Sequence, residues 1–119
     1  MANEIGTTGS LSYTKANARA SLSGNNSYDG GDHYISNVAD VGTTEETLSK
    51  GDIGTIGLCG FRNMDATNYV ELGSATGVYT LRVDAGKFSG PIMWNASSIF
   101  AKANTAGVKV EYLLVEKPS

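Results

Sequence analysis

The chain has 119 residues, 40% of them hydrophobic and 18% charged, which are the proportions of a globular domain and not of a disordered segment. Its net charge of −3 argues against a protein that grips nucleic acid through phosphate contacts. No run approaches the roughly 20 apolar residues of a membrane helix, and the single cysteine, Cys59, leaves no intrachain disulfide and no cysteine-built zinc site to consider.

No window carries a sustained 3.6-residue apolar period, whereas period-two alternation recurs between Gly, Asn and Asp clusters. The opening Met1-Ala2-Asn3-Glu4-Ile5 lacks the basic and apolar regions of a signal peptide, so synthesis in a cytosol is expected. Ser10 to Leu22 alternates small residues (Ser12, Thr14, Ala16, Ala18, Ala20) with larger ones (Tyr13, Lys15, Asn17, Arg19). Such a strand offers little apolar area and is expected to be an edge strand, or an arm ordered by a neighbouring subunit. Gly24 to Asp32 reads as a polar loop, and Thr43-Thr44-Glu45-Glu46 as a cap on one helical turn.

Downstream, Ile56 to Phe61 is apolar throughout and predicts a central strand buried on both faces. Arg62 to Asn68 is the most turn-like segment, because Asn and Asp side chains bond nearby backbone. Strands follow at Asn68–Leu72, at Val78–Val83 with Tyr79, Leu81 and Val83 inward, and, shorter, at Ile92–Trp94 and Ile99–Ala101. The clearest alternation is the last, with Val108, Val110, Tyr112 and Leu114 on one face and Lys109 and Glu111 on the other. Strands about ten residues apart with short loops predict an all-β chain, an antiparallel β-sandwich of jelly-roll type. The expected organisation is a single domain with an extended N-terminal arm or edge strand and polar loop over residues 1–37, then the sandwich core over residues 38–119.

Chemically reactive types are few. Asp29, Asp32 and His33 lie close enough in sequence to hold an ion, but the alternating ligands and distant glutamate of a calcium loop are missing, which favours a polar loop with aspartates capping amides. Cys59 sits in an apolar run with no base nearby and reads as a core residue. Asp65, Glu71 and Asp84 would suit acid–base work only if the fold paired them, and each has an ordinary place at a turn or on a solvent face. Asn25-Asn26-Ser27 and Asn95-Ala96-Ser97 match the glycosylation sequon at a frequency expected by chance. No catalytic, cofactor or metal residues are assigned.

Three blocks carry a resemblance. They are Val41-Gly42-Thr43-Thr44-Glu45-Glu46-Thr47-Leu48 with Gly51-Asp52-Ile53-Gly54, then Phe61-Arg62-Asn63-Met64-Asp65-Ala66-Thr67-Asn68-Tyr69-Val70-Glu71-Leu72-Gly73, then Ala101 to Tyr112. Together they resemble a group of small proteins from tailed bacteriophages and prophages, over roughly residues 38–116. The group usually has leucine where this chain has Met64 and often alanine where it has Gly107. The resemblance implies a virion structural protein, such as a capsid decoration (cement) protein, a head-fibre or adaptor protein, or a tail component, made in the host cytoplasm. It would partner with itself as a homo-oligomer, a trimer being one option, and with the major capsid protein or other virion proteins. It implies no enzyme activity. The alternative is a carbohydrate- or receptor-binding tail-fibre module, with Trp94, Tyr28, Tyr34 and Tyr69 as stacking candidates.

Overall fold

A computed structural model describes residues 5–118; of the opening segment weighed for leader features, all but Ile5 lies outside them. The chain forms two compact units, Met1–Gly30 and Gly31–Ser119, and every described element is a strand or a turn.

The first unit is a hairpin. Strand β1 (Ile5–Lys15) pairs antiparallel with β2 (Ala18–Tyr28) in unbroken register from Ile5↔Tyr28 to Lys15↔Ala18. This corrects the expectation of one strand over Ser10–Leu22 followed by a loop. The chain reverses at Ala16-Asn17, with Ala16 at φ 53° in the left-handed region that glycine normally fills. The turn moves the alternation by half a period: Ser12 and Thr14 share a face with Ser21 and Arg19, while Ala18 and Ala20 share the other with Lys15 and Tyr13. Gly24 to Tyr28 is extended because Ile5 to Gly9 lies opposite it, a cross-strand partner that local composition does not announce.

The second unit is an antiparallel β-sandwich. One sheet has the order β3 (Tyr34–Val41), β10 (Val108–Glu116), β5 (Ile56–Asn63), β8 (Phe88–Ala96). The other has the order β4 (Glu46–Thr47), β9 (Phe100–Ala103), β6 (Val70–Gly73), β7 (Leu81–Val83). Strand β10 alternates as its sequence requires, with Val108, Val110, Tyr112 and Leu114 buried, and it lies between β3 and β5. Strand β5 is interior and apolar on both sides, and Phe61 at its centre is fully buried with the Trp94 ring edge-on at 5.8 Å. From the second sheet come Val70, Leu72, Val83, Ala101 and Ala103, while Val41, Leu48, Ile53 and Ile99 complete the same core.

Two other local expectations change. Thr43–Glu46 makes no helical turn: Glu46 and Thr47 pair with Ala101 and Phe100 instead, and the Glu46 carboxylate accepts the Gly42 amide. The strand expected over Val78–Val83 shortens to Leu81–Val83, because Val78 closes a turn on Ala75 and the Tyr79 hydroxyl reaches out to Glu45. Strand β8 is correspondingly longer than Ile92–Trp94 and includes Pro91 after a cis peptide bond, tolerated because β8 is an edge strand.

Candidate functional site

Alternation fixes two faces for every strand of the β3-β10-β5-β8 sheet, and the outward one is unusually apolar. Cross-strand register sets Ser36, Leu113 and Gly60 in one row and Val38, Glu111, Arg62 and Phe88 in the next. Leu58 faces Met93 and Tyr34 faces Val115 on the same sheet. Exposures are 73% for Tyr34, 59% for Phe88, 55% for Met93, 48% for Leu113 and 45% for Val38. Phe88 lies across the strand over Gly60, in ordinary van der Waals range of where a Cβ would stand there. Arg62 holds its guanidinium 5.6 Å from the Phe88 centroid and 3.5 Å from the Glu111 carboxylate. Asp40 and Lys109 pair at 2.9 Å nearby. The charges on this face are therefore matched among themselves, and the apolar groups are what remains to recognise another surface.

A second feature is a cleft of about 340 Å³ lined by Ser74, Thr80, Leu81, Ser89, Ile92, Met93 and Trp94. Trp94 is half-buried there, its indole N–H donating to the Ser98 carbonyl at 2.9 Å. The other aromatic candidates do not join it. Tyr34 lies on β3, at the opposite edge of the sheet from β8. Tyr69 lies under the Arg82 guanidinium at 3.7 Å, and Tyr28 ends β2 in the other unit.

The polar candidates have structural partners. His33 Nδ1 lies 3.0 Å from Glu116 Oε1, which also accepts the Asp32 amide at 3.1 Å, while Glu116 Oε2 accepts the Gly54 amide at 2.9 Å. Glu116 thereby ties the segment before β3 and the segment before β5 to the end of β10. The Gly54 amide, then His33, holds its carboxyl below the usual range. Gly31 permits this closure, because a Cβ would come within 2.9 Å of the Glu116 and Lys117 carbonyls. Asp29 belongs to the other unit, and among the described residues no group of three or more His, Cys, Asp or Glu is gathered for a metal.

Cys59 is buried, its thiol 3.6 Å from the Ile92 carbonyl and pushed up to about 12 by burial. Asp65 accepts the Thr67 and Asn68 amides at 2.9 and 2.7 Å, and these bonds hold its carboxyl below the usual range. Asp84 is bonded to Arg82 Nε at 2.7 Å, and Glu71 stands in register between Arg82 and Lys102. The fold thus gathers Asp84 and Glu71 around a cation and leaves Asp65 in its turn. Of the sequon residues, Asn25 lies in β2 and Asn95 in β8, where Asn95 Oδ1 accepts from Lys117 Nζ at 2.8 Å.

Glu116 escaped the sequence reading, and Asn63 and Glu45 were read only as members of a turn and of a cap, not as long-range anchors. Glu45 accepts the Gly77 amide at 2.8 Å and the Tyr79 hydroxyl, which lowers its own carboxyl and pushes the Tyr79 phenol up to about 12. These bonding partners of Glu116 and Glu45 are all more than 30 residues away, so no local spacing marked these two.

No family model, no curated protein and no solved structure matches this chain. The three sequence blocks can be read against the fold. The second and third meet side by side, Val70↔Ala103 through Leu72↔Ala101, and Met64 donates its amide to the Lys109 carbonyl at 2.9 Å. Asn63 and Asp65 bond backbone of the turn after β5, and Asn68 Oδ1 accepts from the Thr105 hydroxyl at 2.8 Å, which ties the second block to the third.

Proposed function

We propose that this chain is a structural virion protein of a tailed phage, a capsid decoration or head-associated protein that stabilises the particle by packing against it. The observation that carries the reading is the outward face of the β3-β10-β5-β8 sheet, where Tyr34, Val38, Phe88, Met93 and Leu113 are exposed together. Apolar groups clustered on a rigid sheet, with the adjacent charges already paired, suit a broad, permanent contact better than capture of a small charged ligand. The resemblance of residues 38–116 to phage virion proteins supplies the setting, and the major capsid protein is the partner it suggests.

The test uses the purified full chain and capsids assembled without it, mixed and sedimented together. Saturable binding at a fixed copy number per capsid is expected. Leu113→Glu and Phe88→Asp, both at exposed positions, should abolish binding while leaving the unfolding midpoint nearly unchanged. Failure of the native chain to sediment with capsids of any phage that encodes it would remove the reading.

The cleft beside Trp94 favours a second reading, a carbohydrate- or receptor-binding module, because hydroxyl-bearing Ser74, Thr80 and Ser89 line it together with the indole. Selective glycan binding lost in Trp94→Leu, with the fold retained, would establish it in place of the first.

A further inference from the structure

The hairpin sorts its side chains by face. One face carries Ile5, Thr7, Gly9, Leu11, Tyr13 and Lys15 opposite Tyr28, Asn26, Gly24, Leu22, Ala20 and Ala18; the other carries only Gly6, Thr8, Ser10, Ser12 and Thr14 opposite Ser27, Asn25, Ser23, Ser21 and Arg19. The first is built for burial and the second for water. Yet Leu11, Leu22 and Tyr13 are 73%, 74% and 54% exposed. A two-stranded hairpin is marginal alone in water and gains stability only when such a face is covered.

From the order of its rows we infer that the cover is the same face of a second copy of this chain, stacked antiparallel. Numbered from the base, the rows are Ile5/Tyr28, Thr7/Asn26, Gly9/Gly24, Leu11/Leu22, Tyr13/Ala20 and Lys15/Ala18. A two-fold axis lying across the ribbon between the third and fourth rows sets β1 over β1 and β2 over β2. Leu11 and Leu22 then enter the gaps over Gly9 and Gly24 of the partner copy, and the partner's leucines do the same in return. Nothing lies within 4 Å of a Cβ built at either glycine, so both gaps are open in the single chain. Paired glycines in mid-strand weaken a sheet unless another backbone or side chain approaches there. The same operation sets Ala18 over the ring of Tyr28, Tyr13 against Thr7, and the methylenes of Lys15 along Ile5. One axis therefore sets Leu11, Leu22, Tyr13 and Tyr28 each against a smaller residue of the partner copy, as a self-complementary isologous contact requires.

The area sets the strength. Eleven residues at about 3.4 Å each and two strands about 4.8 Å apart give a footprint of roughly 370 Å² per copy. This falls below the roughly 800 Å² per partner of stable complexes, so the contact is reversible and concentration-dependent in solution. It is independent of the capsid reading and does not need it.

Sedimentation equilibrium of the full chain, from micromolar to millimolar concentration, tests the inference. A monomer–dimer equilibrium is expected, weakened about tenfold or more by Leu11→Ser with Leu22→Ser, as loss of interface anchors predicts. Gly9→Thr with Gly24→Thr separates an interface from mere hairpin stability. Threonine favours strands, so it should order the hairpin, yet it fills the receiving gaps and should weaken dimerisation by a similar factor. A chain that stays monomeric throughout overturns the inference. So does association that ignores both hairpin pairs but disappears in Leu113→Glu, which would put the contact on the sandwich.

Discussion

Asn63 is the one fully buried polar side chain among the described residues, 1% exposed at the end of β5. Its Nδ2 donates to the Asn68 and Val83 carbonyls at 2.9 and 3.0 Å, and its Oδ1 accepts the Asp65 amide at 2.8 Å. One side chain thereby closes the turn after β5 and holds it to the end of β7. Asn63→Ala deletes three bonds and strands two carbonyls and an amide. At about 1 kcal/mol per lost bond, plus a further 1–3 kcal/mol for a buried group left unpaired, the expected loss is about 4–6 kcal/mol. Asn63→Asp is the sharper perturbation. It preserves the shape and the Asp65 bond but sets a carboxylate oxygen against the two carbonyls that now receive an N–H. Desolvation and those carbonyls should drive the new carboxyl's pKa up in the folded state. The folded variant then binds a proton more tightly than the unfolded one, so its deficit relative to the parent is largest at neutral pH and shrinks as pH falls. Urea unfolding followed by Trp94 fluorescence, at pH 7 and near pH 5, measures both effects. A loss below about 1 kcal/mol for Asn63→Ala, within the range of ordinary substitutions, would refute the reasoning. So would an Asn63→Asp deficit that does not change with pH.

Other positions give independent checks. Glu116 titrates lower in the folded chain than its ordinary 4.5, chiefly through the Gly54 amide and then His33. Its contribution is therefore present above that ordinary value and lost as pH falls through the lower folded one. Glu116→Gln should be less stable than the parent at neutral pH, with the gap closing in acid, as urea midpoints across a pH series would show. Gly73→Ala would drive its Cβ into the Val78 carbonyl and break the Ala75–Val78 turn, so a fall in melting temperature of several degrees is expected by calorimetry. Cys59, with its thiol raised from 9.0 to about 12, has about a thousandfold less thiolate than an open cysteine at neutral pH. Its reaction with a colorimetric disulfide reagent should wait for urea, and prompt labelling of the native chain would contradict its burial.

The β-sandwich was legible wherever one strand carried its own contrast. Val108 to Leu114 alternates apolar and charged residues, so its buried face needed no knowledge of β3 or β5. Ile56 to Phe61 is apolar on both faces and declared itself interior. Legibility ended where a segment's state depends on a distant partner. Gly24 to Tyr28 has loop composition and is a strand because Ile5 to Gly9 pairs with it. Thr43–Glu46 has helix-cap chemistry and becomes a strand start because Ala101 and Phe100 offer an edge. Leu113 looked like an ordinary strand residue, and Phe88 lay outside every expected strand. Only the register, which aligns β10, β5 and β8, reveals that the outward residues form a patch.

The two units solve opposite problems with the same alternation. Residues 31–119 bury sixteen apolar residues in one continuous core, enough to hold a fold whose outward face can stay apolar without unfolding it. The hairpin has only two strands and no opposing layer of its own, so its leucines cannot serve intramolecular stability to the same degree. Under the inference drawn above, their value is realised between chains. The polar hairpin face argues the same way: Ser, Thr and Asn at nearly every position keep one side wet and leave a single side for contact. Substitutions at Leu11 and Leu22 should therefore change association and leave the sandwich's unfolding transition in place, whereas substitutions at Asn63 or Phe61 should do the reverse.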